Sequence, residues 1–224
     1  MLHEPIDALG AHAHDDRQRA LIELVRAVTT APWSLSRADH ARWNAAGLTD
    51  DDLLHAIALA SYFGHLNRIA DAVAVPLDYT VAISATRVDP SVPPFAAAPM
   101  SFGGSRALEL ERRPATMEAL AAWRGYLADK TGPLAPPARS RIAAWVATWL
   151  GDGGVEPAAV HDDELELHAL AEIVTLAPWR LDDAAFAALR AHGFTDAALF
   201  DVCATASSAG TFSRIDVALR ALAR

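Results

Sequence analysis

The chain has 224 residues, 52% apolar and 21% charged, with a net charge of −9. The acidic balance disfavours a nucleic-acid partner, because the phosphate backbone attracts basic surfaces. Its single cysteine, Cys203, excludes a disulfide framework or a two-thiol centre within one chain. No run of about 18 apolar residues occurs, so we expect no membrane span, and the low cysteine content suits a cytoplasmic protein.

One stretch of the sequence occurs twice. Residues 28–73 and 174–219 align without a gap at a constant offset of 146, and about two aligned positions in five are identical. The shared residues include Ala-Pro-Trp at 31–33 and 177–179, Gly-x-Thr-Asp at 47–50 and 193–196, and Ser61, Gly64 and Arg68 with Ser207, Gly210 and Arg214. Two copies are too few for a solenoid, so the pattern indicates internal duplication of a helical unit.

The first copy predicts three helices in chain order. Apolar residues at helical spacing predict a helix over 17–29, which ends before Pro32. Ser34 or Ser36 is expected to cap a second helix over 37–46, and Gly47 to end it in the left-handed conformation. We expect Trp33 and its counterpart Trp179 to fill the core between helices.

The third helix of the first copy is predicted over 50–75. Thr49 and Asp52 have the spacing of a capping box, which satisfies free N–H groups at a helix start. Apolar residues surround most of this helix, so we expect it to be central and buried on most sides. In the second copy, Thr195 is expected to cap the matching helix.

The remaining chain predicts further helices over 116–130, 138–150 and 164–176. A Pro/Gly-rich stretch at 81–115 reads as a connection between the copies. We therefore predict an all-α fold with a first unit at 1–80 that includes an N-terminal arm, a connection at 81–115 and a second unit at 116–224.

The first copy resembles the peroxidase-related branch of the alkyl hydroperoxidase D / carboxymuconolactone decarboxylase superfamily. The resemblance rests on AAGLTDDDLL at 45–54, ASYF at 60–63 and NRIAD at 67–71. Residues 117–150 resemble the helices that come first in that family, and RIAAWV at 141–146 falls where its catalytic helix lies. The resemblance implies an all-α, oligomeric protein that reduces hydroperoxides with a Cys-x-x-Cys pair, or a decarboxylase.

This chain departs from the family pattern at the reactive thiols. The positions that match the cysteine pair fall near Asp152 and Val155, and the expected acid helper falls near Ser140. Peroxide reduction needs a thiolate and a resolving thiol, so this chemistry cannot be carried over. Cys203 matches the apolar Ile57 of the first copy, which favours a small core residue.

Ser61, Gly64, His65 and Arg68 share one face of the third helix. One interpretation is an enzyme for a small carboxylate, with His65 as general base, Arg68 as carboxylate ligand, and Ser61, Tyr62 and Asn67 as substrate-binding residues. The other is that the arginines tie helices together in a non-catalytic helical assembly or binding protein. For Arg214, whose neighbours differ from those of Arg68, we expect a structural role.

We predict no metal and no cofactor for this chain. The expected partners are a small-molecule ligand and further copies of the chain, as a dimer or larger homo-oligomer, with neither nucleic acid nor membrane.

Overall fold

The computed structural model describes residues 13, 15–73, 114–128 and 131–223, and within them the fold is all-α. Its helices are α1 (Asp16–Thr30), α2 (Arg37–Ala45), α3 (Asp50–Ala72), α4 (Pro114–Tyr126), α5 (Pro136–Trp149), α6 (Leu165–Leu176), α7 (Asp183–Ala191) and α8 (Asp196–Ala223). None of these helices is both long and apolar enough to cross a membrane. Residues 1–12 of the predicted arm and 81–113 of the predicted connection lie outside the described residues.

The two copies have matching elements at the same offset of 146. Short 3₁₀ turns at Pro32–Ser34 and Pro178–Arg180 follow α1 and α6, and α2 and α7 have the same length. Local chemistry accounts for these boundaries. Thr49 and Asp52 form the predicted capping box at the start of α3, and Thr195 Oγ1 accepts from the N–H of Ala198 at 3.2 Å. Gly47 has the left-handed backbone that ends α2, with φ +94°.

The long helices α3 and α8 pack on each other at the centre, and each also packs on the 3₁₀ turn of the opposite copy. Each of these two helices also contributes a residue to the hydrophobic core of the other copy. Ala72 at the end of α3 is buried among residues of the second copy, and its counterpart Ala218 is buried among residues of the first. The contact between the central helices and this exchange are what a twofold relation between the copies predicts.

The prediction that α3 is buried on most sides is wrong for the second half of the helix, whereas its counterpart α8 is buried on most sides. Four large apolar residues of α3 are 42–55% exposed, namely Leu59, Tyr62, Phe63 and Leu66. Their counterparts on α8 are buried: Thr205, Ser208, Ala209 and Phe212. On α8 this face is covered from outside the helix pair: Trp123 of α4 contacts Ser208 and Phe212, and α5 also packs along α8. On α3, Trp123 contacts Tyr62, which stays 46% exposed.

The prediction that Trp33 and Trp179 fill the core is also wrong. Their side chains are 51% and 63% exposed, whereas the preceding Pro32 and Pro178 are buried. Each tryptophan lies within a 3₁₀ turn, whose tight geometry buries the proline and leaves the indole outside. Trp33 still contacts the second unit, since a Cβ on Gly151 would lie 2.8 Å from Trp33 Cβ.

Candidate functional site

Arg68, the predicted carboxylate ligand, donates its hydrogen bonds to main-chain oxygens. Its Nε donates to Thr175 O at 3.1 Å, and its Nη1 donates to Gly64 O at 2.8 Å. Thr175 lies in the last turn of α6, where helix carbonyls have no partner within the helix. Burial lowers the pKa of Arg68 to about 10, and the negative charge of Asp71 opposes this shift. The guanidinium therefore joins α3 to the end of a helix in the second copy.

Arg214 makes the matching contacts from α8. Its Nε donates to Thr29 O at 3.3 Å and its Nη1 to Gly210 O at 3.0 Å, while Nη2 donates to Thr175 O at 3.3 Å. Thr29 and Thr175 are themselves counterparts, so each arginine binds the helix end of the opposite copy. Burial, then the charge of Arg68, lowers the pKa of Arg214. The structural role expected for Arg214 is confirmed, since the side chain bonds to helix-end carbonyls of α1 and α6.

The glycines that both copies share allow these arginines to fold back on their own helices. A Cβ at Gly64 would lie 2.6 Å from Arg68 Nη1, and a Cβ at Gly210 would lie 2.9 Å from Arg214 Nη1. A side chain at either position would displace the guanidinium from the carbonyl it binds. The Gly-x-x-x-Arg spacing is therefore explained by contacts within the helix pair.

The side chain of His65, the predicted general base, packs against α8. Its Nδ1 lies 2.9 Å from Ser207 Oγ, which also donates to His65 O at 3.0 Å. The imidazole packs edge-on against the indole of Trp123 in α4, with ring centroids 4.8 Å apart. Burial and, to a lesser degree, the charge of Arg68 lower the pKa of His65, and a hydrogen bond with Ser207 opposes them. Ser207 is 1% exposed, so substrate cannot reach it as a nucleophile.

The predicted substrate-binding residues do not converge on one opening. Ser61 is buried between the central helices, and its hydroxyl has no hydrogen-bond partner among the described residues. Thr211, the counterpart of His65, donates to Ser61 O at 3.1 Å. Tyr62 and Asn67 lie on the exposed side of α3. The structure thus brings Ser61, His65 and Arg68 into the interface with α8 and leaves the other two at the surface.

Two cavities formed by described residues have volumes of about 290 Å³ and 200 Å³. The larger lies between α1 and α2, and its wall contains Glu23, Asp39 and Arg42, which are paired with one another or with neighbouring residues. The smaller lies between α3, α4 and α8. Neither cavity is lined by His65 or Arg68.

A buried polar cluster, which was not predicted from the sequence, joins α4, α5 and α8. Asp201 binds Arg139 Nη2 at 2.6 Å and accepts from the N–H of Leu134 at 3.0 Å and from the hydroxyl of Tyr126. Burial, followed by the contact with Asp201, raises the pKa of Tyr126 to about 12. The signal was present in the sequence, because Asp201 and Arg139 are charges within apolar helices and buried charges are paired.

The thiol of Cys203 is fully buried in the core, as its match to Ile57 predicts. Burial raises the pKa of Cys203 to about 12, which opposes formation of the reactive thiolate. Of the positions that match the family's cysteine pair, Asp152 is buried and pairs with Arg220, and Val155 is exposed. Within the described ranges, no three His, Cys, Asp or Glu side chains form a group that could hold a metal ion.

No protein-family model matches this chain, and no curated protein or solved structure matches it. The resemblance carried by residues 45–71 and 117–150 therefore remains an expectation from the sequence.

Proposed function

We propose that this chain is a non-catalytic helical assembly protein, descended from the alkyl hydroperoxidase D-like / carboxymuconolactone decarboxylase superfamily, in which the arginines hold the duplicated units together. The observation that carries the proposal is the pair of reciprocal bonds from Arg68 to Thr175 O and from Arg214 to Thr29 O. These bonds occupy the guanidinium of Arg68, which is the group that would have to bind a substrate carboxylate.

Energetics favours the structural role of the arginines. A carboxylate entering at Arg68 would have to take the guanidinium from Thr175 O, which would keep only its 3.3 Å hydrogen bond from Arg214 Nη2. Loss of a hydrogen bond from a charged donor costs about 1.5–3 kcal/mol. Neither of these two cavities is lined by His65 or Arg68.

The exposed face of α3 supports an assembly role. Leu59, Tyr62, Phe63 and Leu66 have the i, i+3, i+4, i+7 spacing of a helix-packing stripe, and we name them the α3 stripe. The matching face of α8 is buried by other helices. The α3 stripe can therefore accept a helix in the same way. A second copy of the chain, docking its own α3 stripe about a twofold axis, covers both stripes at once. The net charge of −9 opposes association, so added salt should strengthen it.

Sedimentation equilibrium at low and high salt tests the assembly. Wild type should form a dimer at micromolar concentration, and Phe63→Glu in the α3 stripe should sediment as a monomer. Leu165→Glu is the matched control, because Leu165 is 56% exposed on α6, outside the stripe. A monomeric wild type, or a dimer that survives Phe63→Glu, would refute self-association through α3.

A second candidate function is an enzyme acting on a small carboxylate through His65 and Arg68. The lowered pKa of His65 favours it, since a general base must be unprotonated at neutral pH. Titration with acetate, succinate and benzoate, followed by the NMR signals of the His65 ring, tests this function. Saturable binding that Arg68→Lys abolishes, with the melting temperature unchanged, would favour the enzyme over the assembly protein.

The loss of peroxidase chemistry is tested by a steady-state assay with alkyl hydroperoxide and a dithiol reductant. We expect no turnover, because Cys203 is buried and its pKa is raised to about 12. Turnover that disappears in Cys203→Ser would show that this thiol is reactive.

A further inference from the structure

The cavity of about 200 Å³ between α3, α4 and α8 is separate from the arginine contacts. Its wall is made almost entirely of apolar side chains, contributed by Leu54, Ile57, Ala58, Leu59, Tyr62, Leu120, Thr211 and Ile215. Among the described residues, no charged side chain lines it. A ligand for this space must therefore bind by burial of apolar surface.

The hydroxyl of Thr211 does not change this conclusion. Thr211 Oγ1 lies 3.1 Å from Ser61 O and 3.2 Å from Ser207 O, so its one hydrogen is shared between these two carbonyls. The pocket is open to solvent beside Leu59 and Tyr62, and its apolar wall offers the water inside few hydrogen bonds. An apolar guest that displaces this water buries apolar surface.

The dimensions of the cavity limit the size of the guest. An engineered apolar cavity of about 150 Å³ in another protein stays dry and binds benzene. At about 200 Å³, this cavity accommodates one aromatic ring or a short branched alkyl group. Leu59 and Tyr62 of its wall are 45% and 46% exposed, so a guest can enter from the surface without unfolding the helix pair.

We propose that this cavity is a binding site for a small apolar molecule, of the size of a single aromatic ring. The site goes beyond the proposed assembly role. Leu59 and Tyr62 belong to both the cavity wall and the α3 stripe, so a docked second copy would cover the mouth of the cavity, whereas Phe63 of the stripe does not line it.

Fluorobenzene is the probe for this site, with binding measured by fluorine NMR on the full chain. Wild type should bind it saturably. Ala58→Leu should weaken binding at least tenfold by filling the space, and Ala58→Val should give an intermediate loss. Each variant is first checked by circular dichroism, and the smaller valine keeps the test decisive if leucine prevents folding.

Phe63→Glu is the control for adsorption to the α3 stripe. Because Phe63 does not line the cavity and a monomer leaves its mouth open, this variant should bind fluorobenzene at least as tightly as wild type. Loss of binding in Phe63→Glu would mean that the probe adsorbs to the exposed stripe or a dimer interface. Absence of saturable binding in wild type, or undiminished binding in a folded Ala58→Val and Ala58→Leu, would overturn the proposal.

Discussion

Arg68 and Arg214 donate to the same acceptor, the carbonyl oxygen of Thr175, at 3.1 Å and 3.3 Å. Two like charges therefore lie side by side in the protein interior, and the charge of Arg68 lowers the pKa of Arg214. The C-terminal turns of α1 and α6 meet them, and each helix end carries roughly half a negative elementary charge. The helix ends therefore stabilise the two buried cations. The carbonyl oxygen of Thr175, which both arginines contact, couples the two copies.

Arg214→Ala tests how much these contacts contribute to stability. Thr29 O and Gly210 O would lose their charged donor, and hydrogen bonds to charged groups contribute about 1.5–3 kcal/mol. The expected fall in melting temperature is roughly 3–12 °C for a chain of this size. Arg190→Ala is the control, because its pair with Asp196 is exposed and should contribute at most about 1 kcal/mol. Equal melting temperatures for Arg214→Ala and wild type would contradict a structural role.

Ser207 and its counterpart Ser61 provide a matched pair of substitutions. Ser207→Ala removes the hydroxyl that contacts His65 Nδ1 and should destabilise the protein by about 1 kcal/mol. Ser61→Ala removes a buried hydroxyl without a partner among the described residues, so it should be neutral or stabilising. Urea unfolding of both variants measures the difference, and a greater loss from Ser61→Ala would mean that Ser61 has a partner of its own.

The buried pair of Arg139 and Asp201 should contribute more than any surface pair. Asp201→Ala leaves Arg139, which is 0% exposed, without its carboxylate, and breaking a buried pair costs about 3–5 kcal/mol. Asp196→Ala, on the same helix, breaks an exposed pair and should cost about 1 kcal/mol or less. Chemical denaturation checks the ranking. If the two variants are equally stable, Arg139 must recover its hydrogen bonds from other groups or from water.

His65 should make stability depend on pH. Folding holds the pKa of His65 below the ordinary value of 6.5, so the unfolded chain takes up the proton first as the pH falls. The stability contributed by neutral His65 is therefore complete above about pH 6.5 and is lost below it. His65→Thr introduces the residue type found at the matching position Thr211. Relative to wild type, this variant should become more stable as the pH is lowered from 7.5 to 5. A stability difference that is constant over this range would show that His65 does not titrate differently on folding.

Features that depend on neighbouring residues in the chain were predictable from the sequence. The repeat predicted matching helices at an offset of 146, and the capping box at Thr49 and the left-handed Gly47 predicted where α2 ends and α3 begins. Such signals succeed because a cap or a glycine turn is satisfied within a few residues. The core position of Cys203 followed in the same way, from its match to an apolar residue.

Tertiary packing alone decided which apolar faces are buried and which groups the buried charges contact. The sequence placed Arg68, His65 and Ser61 on one face of a helix, but only the packing of α3 on α8 directs that face into the other copy. Likewise α4 and α5 pack on α8 and leave most of the matching face of α3 exposed, although both helices read as apolar. Burial depends on what packs against a residue from a distant part of the chain, and that information is not contained in the local pattern.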